Sequence, residues 1–283
     1  MTQSATRRCL DILELLVKYP PGLGLTELCA ALHIPKSAAH RLLTLLCERG
    51  FVRQHADSAR YGLTLKLTLL GSRYLAEMGL SHITQPILDR LAADTGELAR
   101  LAVVEGDRLA WVAMAQGARY GLRLDPDTGT HVVLHATAAG KAWLATIPET
   151  EALRIVSATR FETPAHFGPN VIRDIERFRD ELRTTKARRF GMAVEEGEPG
   201  TAALAVAVRA SGNDDAPAVA TLSVAGPAIR FTLERQKEFV RHLSAAAAEL
   251  SALWPVSATG PTSPRVAGTA SSGKFAEVSA HAN

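Results

Sequence analysis

The chain has 283 residues, 47% of them hydrophobic, and a formal charge of +3 at pH 7, enough apolar material for two ordinary domains with their own cores. It holds no apolar run of about 18 residues, and its first stretch, MTQSATRRCLDILELL, carries acids inside the apolar part, so neither a membrane span nor a signal peptide is expected and the expected location is the cytoplasm. Cys9, Cys29 and Cys47 are an odd set without CxxC spacing, each inside a helical apolar pattern, which points to reduced, buried thiols and away from disulfides or a metal site.

From residue 6 to 19, Leu10, Leu13, Leu16 and Val17 recur at helical spacing, and Pro20-Pro21-Gly22 stops the helix because proline donates no amide and disfavours αR before it. Thr26 is then placed to cap a short helix, ELCAALH, by accepting a first-turn amide. Ile34-Pro35 makes a turn, and a helix over residues 36–49 follows, closed by Gly50 in the left-handed conformation. Advancing about 100° per residue puts Ala39, Leu42, Leu43 and Leu46 on one arc of that helix and Ser37, His40, Arg41, Thr44 and Glu48 on the other. One face packs and the other is presented to something. FVRQ and RYGL, separated by HADSA, read as a hairpin. Three helices followed by a hairpin is the order of a winged helix-turn-helix.

Residues 64–79 form a further helix with Leu67, Leu70, Tyr74 and Met78 on one stripe, which packs on its own domain or pairs with a second subunit. Beyond it come a helix around ITQPILDRLAADTG and three strand-like segments, LARLAVVEG, RLAWVAMAQ and YGLRL. HATAAGKAWLATI, PETEALRIVSA and NVIRDIERFRDELRTTKARR read as helices, and ALAVAVRA and AVATLSVAG as strands flanking the turn SGNDDAP. A long helix over residues 232–254 closes the domain. Helices and strands alternate irregularly, so the fold class is α+β with a mostly antiparallel sheet. The expected division is a DNA-binding domain at 1–63, a linker helix at 64–80, a second α+β domain at 81–255 and, from its Ala, Ser, Thr, Gly and Pro composition, a disordered tail at 256–283.

A major groove admits one helix and is read by short polar and arginine side chains near its N-terminal half, which gives Ser37, His40, Arg41 and Thr44 a task. Lys36 suits phosphates, and Arg53 and Arg60 lie on the hairpin, where a wing meets the sugar-phosphate backbone. Residues 1–80 hold ten Lys and Arg against six Asp and Glu, so the basic excess belongs to this half. In the second half, AAGKAW resembles a phosphate loop only in part, since His135 and Ala142 stand where that motif needs Gly and Ser or Thr. His135 with Glu195 or Glu196 is a candidate general-base pair, but no spacing supplies a nucleophile, so catalysis is not expected. GEPG at 197–200 reads as a turn, and SVAGP at 223–227 as a strand end with amides available to an anion.

Four segments in order, LTELCAALHIPKSAAHRLLTLLCERGFV, LHATAAGKAWLA, RRFGMAVEEGEPGTAALAVAV and LSVAGP, resemble the isocitrate lyase regulator (IclR) family of bacterial transcription factors over residues 6–254. The resemblance implies a winged helix-turn-helix, a linker helix and a GAF-like domain binding a small, often carboxylate-bearing effector, in dimers or tetramers on palindromic double-stranded DNA, with no cofactor, metal or membrane partner. It implies that the amides of Ala138 and Ala139 hold a carboxylate, and it adds Leu122, Ser223, Glu195 and Glu196 to the pocket. Ala225 replaces the family's second serine, Ala203 its frequent cysteine, and Ala193 falls where some relatives place an acid, so Glu195 or Glu196 takes that role only with a shift. Fewer polar groups imply a larger, more apolar effector, aromatic or otherwise hydrophobic, with one carboxylate or none. The rival reading is a small-molecule sensor or enzyme whose helix-turn-helix docks a protein.

Overall fold

Ser4 opens the first helix, α1 (Ala5–Val17), by accepting the Arg7 amide at its hydroxyl. The computed structural model describes residues 4–124, 132–159, 161, 167–210 and 216–254; the expected tail and most of the turn at 211–217 lie outside them. The chain divides between Met78 and Gly79 into two compact units, so the helix expected as a linker belongs to the first.

In α1 the buried positions are Ile12 and Leu16, whereas Leu10 and Val17, expected on the packing stripe, face solvent. Leucines on several sides of the helix made the stripe ambiguous, and only packing chose between them. Helix α2 (Leu25–Leu32) begins at Gly24 and is not capped by Thr26: the Gly24 amide donates to the Glu27 carboxylate at 2.6 Å, and Leu28 drops into the core. Helix α3 (Lys36–Glu48) buries Ala39, Leu43 and Leu46, and Gly50 turns the chain at φ 71°. Strands β1 (Val52–Gln54) and β2 (Tyr61–Leu63) pair antiparallel as the wing, with Arg53 opposite Gly62.

The Thr64 hydroxyl donates to the Gly50 carbonyl at 2.6 Å, and the Lys66 ammonium sits 4.7 Å over the Phe51 ring. These contacts tie the start of α4 (Lys66–Glu77) to the wing and α3. No residue of α4 is buried: Leu67, Leu69, Leu70 and Tyr74 are all exposed, so the stripe packs on nothing within its own unit.

The second unit runs α5 (Leu80–Thr95), β3 (Leu98–Glu105), β4 (Arg108–Gln116), α6 (Ala138–Leu144), α7 (Glu149–Ala158), α8 (Ile175–Arg188), β5 (Gly191–Val194), β6 (Thr201–Val208), β7 (Ala220–Pro227) and α9 (Leu233–Leu253). Its strands form one antiparallel sheet in the order β4-β3-β7-β6-β5, as the α+β reading requires. Residues facing each other across the strands put Ala102, Ala193 and Ala205 on one face, in a core shared with α6, α7 and α8. The alternate positions, among them Leu204, Val206, Leu222 and Val224, face the side on which α5 and α9 pack. YGLRL is irregular and not a strand. SVAGP is the end of β7, as expected: Ser223 to Ala225 are paired on both sides, and Gly226 and Pro227 with β6 alone.

Candidate nucleic-acid interface and effector site

On α3, Lys36, Ser37, His40, Arg41 and Thr44 are all exposed while the opposite face is sealed against α1, α2 and the wing. The Thr44 hydroxyl donates to the His40 carbonyl at 3.0 Å, which fixes its rotamer and leaves its oxygen able to accept. Arg53 is exposed on β1. Arg60 is committed inward: its Nε donates to the Gly22 carbonyl at 3.0 Å and its guanidinium meets the Glu27 carboxylate at 3.0 Å. Glu27 thus holds the start of α2 and one side of the wing at once.

In the second unit, Thr137 caps α6 by accepting the Gly140 amide at 3.1 Å, and the amides of Ala138 and Ala139 find no acceptor among the described residues. Lys141, one turn further on, is fully buried, 1% exposed. Its ammonium donates to a Glu196 oxygen at 2.6 Å and the Met192 carbonyl at 3.0 Å, with a Glu181 oxygen at 3.5 Å that Arg188 also holds. Burial raises the Glu196 pKa, against the pull of Lys141, and its second oxygen is buried without a partner. Nothing in the local sequence announces this network, because its members lie on α6, α8 and the turn after β5.

His135 stands just before α6 with its ring edge-on to Phe161, centroids 5.0 Å apart. Burial first, then the charges of Lys141 and Arg173, lowers its pKa to about 4, so it is neutral at pH 7, with Nε2 buried and unpartnered. The expected general-base pair does not form. Glu196 is taken by Lys141, and the Glu195 carboxylate accepts the Gly200 amide at 3.1 Å from a left-handed backbone at φ 52°.

Ala203 lies between Ala193 and Ala225 in register, so the three alanines noted in the sequence bring their methyl groups into one row. Beside them Ser223 and, missed in the sequence, Thr221 are buried with unpartnered hydroxyls. Leu122, expected in the pocket, is 70% exposed, and its carbonyl accepts from Arg230 at 2.9 Å. The assembly of amides, hydroxyls, a neutral imidazole and small methyl groups is equipped to hold a molecule by hydrogen bonds and shape.

A winged helix-turn-helix with a polar, exposed third helix, carried in one chain with an α+β domain whose interior holds unsatisfied polar groups, defines a DNA-binding transcriptional regulator with an effector domain. Residues 5–56 match the IclR helix-turn-helix domain and residues 72–252 the C-terminal domain of bacterial IclR transcriptional regulators, and the chain belongs to that family. It is 28% identical over 250 residues to the transcriptional repressor IclR of Escherichia coli K12, covering 88% of this chain and 89% of that one. An IclR-type regulator from Alicyclobacillus acidocaldarius superposes with a TM-score of 0.74 at 26% identity, over 89% of this chain and 99% of that one. An IclR homologue from Microbacterium hydrocarbonoxydans, complexed with 4-hydroxybenzoate, has the same fold at 21% identity and a TM-score of 0.71, over 88% and 98%.

Proposed function

We propose that two copies of this chain bind a palindromic operator, with Ser37, His40, Arg41 and Thr44 reading base edges, Lys36 and Arg53 on phosphates, and a carboxylate or aromatic metabolite in the second unit controlling occupancy. The observation that carries the reading is the polar face of α3, fully exposed on a helix whose other face is core. Arg60, tied to Glu27 and Gly22, supports the wing and meets DNA only with its outer edge. Leu10 and Val17 on α1 and Leu67, Leu70 and Tyr74 on α4 supply an apolar surface that a second copy covers, which makes the protein a homodimer; tetramers form through the second units.

The effector acid binds at the amides of Ala138 and Ala139, over the alanine row of Ala193, Ala203 and Ala225 and beside Ser223. Glu196 shapes that pocket through Lys141, and Glu195 shapes the turn beneath it; Leu122 borders the entrance. The protein works in the cytoplasm and catalyses nothing, a reading supported by its relatives' role as regulators and by the tying up of Glu195 and Glu196 away from His135. Footprinting on the DNA upstream of its own gene, with random duplex as competitor, tests this. A protected palindrome with half-sites a whole number of helical turns apart is expected; sequence-blind, salt-sensitive binding would remove the operator from the account.

A further inference from the structure

Helix α3 carries the leucines Leu42, Leu43, Leu45 and Leu46, and the core accounts for all but one of them. Leu43 and Leu46 are buried, and Leu42 packs against the same cluster. Leu45 is not part of that cluster and is 47% exposed. At about 100° per residue it stands about 40° round the helix from Arg41 and one turn beyond it, on the flank of the arc that holds Ser37, Arg41, Thr44 and Glu48. The Arg41 guanidinium makes no hydrogen bond or ion pair among the described residues. An uncommitted cation and an unpacked isobutyl group are therefore presented side by side on the face assigned to DNA.

A leucine turned toward a major groove meets base edges that are polar throughout, with one exception. Guanine presents acceptors, cytosine a donor and adenine one of each, whereas thymine adds a 5-methyl group to its acceptor. Over a purely polar edge, Leu45 displaces water from donors and acceptors and returns no hydrogen bond. Over the methyl group, it removes apolar surface from water on both sides. One side chain thereby favours one base and penalises the other three. The four residues from Arg41 to Leu45 advance about 6 Å, which is one to two base steps of about 3.4 Å for a helix lying along the groove.

We propose that Leu45 is a specificity-determining residue that reads a thymine methyl group, one or two base pairs from the base that Arg41 contacts in each half-site. This rests on the operator-binding reading above, and adds an apolar contact to the polar ones named there. Burying one methyl group corresponds to about a fourfold change in affinity for each half-site. Because Leu45 lies outside the core, shortening it is expected to leave the first unit folded.

The test uses one DNA fragment, the region upstream of the protein's own gene, amplified once with dTTP and once with dUTP, so that the two copies differ in the thymine 5-methyl groups alone. Each is titrated with the full chain in the presence of random duplex. The wild type is expected to bind the thymine copy about fourfold tighter for each half-site than the uracil copy. Leu45→Ala should bind the thymine copy weaker by a similar factor and bring the ratio between the copies to about one, while Leu45→Met keeps most of the wild-type ratio. Equal binding of the two copies by the wild type, or a wild-type ratio retained in Leu45→Ala, overturns the proposal. Should Leu45→Ala not fold, as seen in a thermal melt, Leu45→Gln, which keeps a good helix former and removes the apolar contact, takes its place. The two readings fail differently. Sequence-selective binding that is indifferent to the methyl groups sinks the role of Leu45 and keeps the regulator, whereas binding of neither copy in preference to random duplex sinks both.

Discussion

The ammonium of Lys141 and the carboxylate of Glu196 meet at 2.6 Å in the interior of the second unit, and the carboxylate's other oxygen has no partner. Removing one member of such a pair strands a buried charge, whereas removing both removes the problem. Lys141→Met is expected to destabilise the second unit by about 3–5 kcal/mol in urea unfolding, and Lys141→Met with Glu196→Leu to recover much of that loss. A double variant no better than the single one would show that the pair acts through Met192 and Glu181 instead.

His135 makes stability depend on pH with a definite sign. Its folded pKa, about 4, lies below the ordinary 6.5, so between these values the unfolded chain takes up a proton that the folded chain refuses. Its contribution is therefore complete above pH 6.5 and is lost as pH falls toward 4, by up to about 3 kcal/mol. His135→Gln should flatten the unfolding free energy against pH over that window relative to wild type. An unchanged slope would mean that the ring is protonated in the fold.

At the DNA face the three arginines should separate by the quantity they change. Arg41→Ala is expected to weaken operator binding by about 1–3 kcal/mol and to relax preference at particular base pairs. Arg53→Ala should weaken all sequences alike and lower the salt slope by about 1. Arg60→Ala should cost little affinity and up to about 1 kcal/mol of stability, since its pairing with Glu27 is partly exposed. Titrations at several salt concentrations, with specific and random duplexes, distinguish the three.

The exposed leucines of α4 should matter to assembly and not to folding. Leu70→Glu with Tyr74→Glu is expected to turn dimers into monomers in sedimentation while leaving thermal unfolding of the first unit almost unmoved. Leu43→Ala, at a fully buried position of α3, should instead cost about 2–5 kcal/mol. If the charged pair of substitutions leaves sedimentation unchanged, α4 is not the contact between copies.

Most of the fold was legible because its elements are local. The arcs of α3, the hairpin and the two central strands β3 and β7 follow from periodicity within a dozen residues. Some of what was illegible is local: Glu27, not Thr26, decided where α2 starts, by reaching back to accept the Gly24 amide. Four-residue β5 has too few positions to display alternation, and YGLRL shows alternation without a neighbouring strand to pair with. At the proposed effector site the HATAAGK segment was singled out by resemblance, but the burial of Lys141 depends on groups 51 and 55 residues away. The row of alanines became a row only once the register of β5, β6 and β7 was known.

Glu27 accepts the Gly24 amide and grips Arg60, while Thr64 and Lys66 fasten the next helix to the same body. In such a reading head the second helix, the wing and the start of the outgoing rod are stapled to one body. Bending it to suit a different half-site would break several of these staples together. In the dimer proposed above, control by a metabolite would therefore act on the gap between two heads, like calipers whose jaws are rigid and whose setting alone is adjusted.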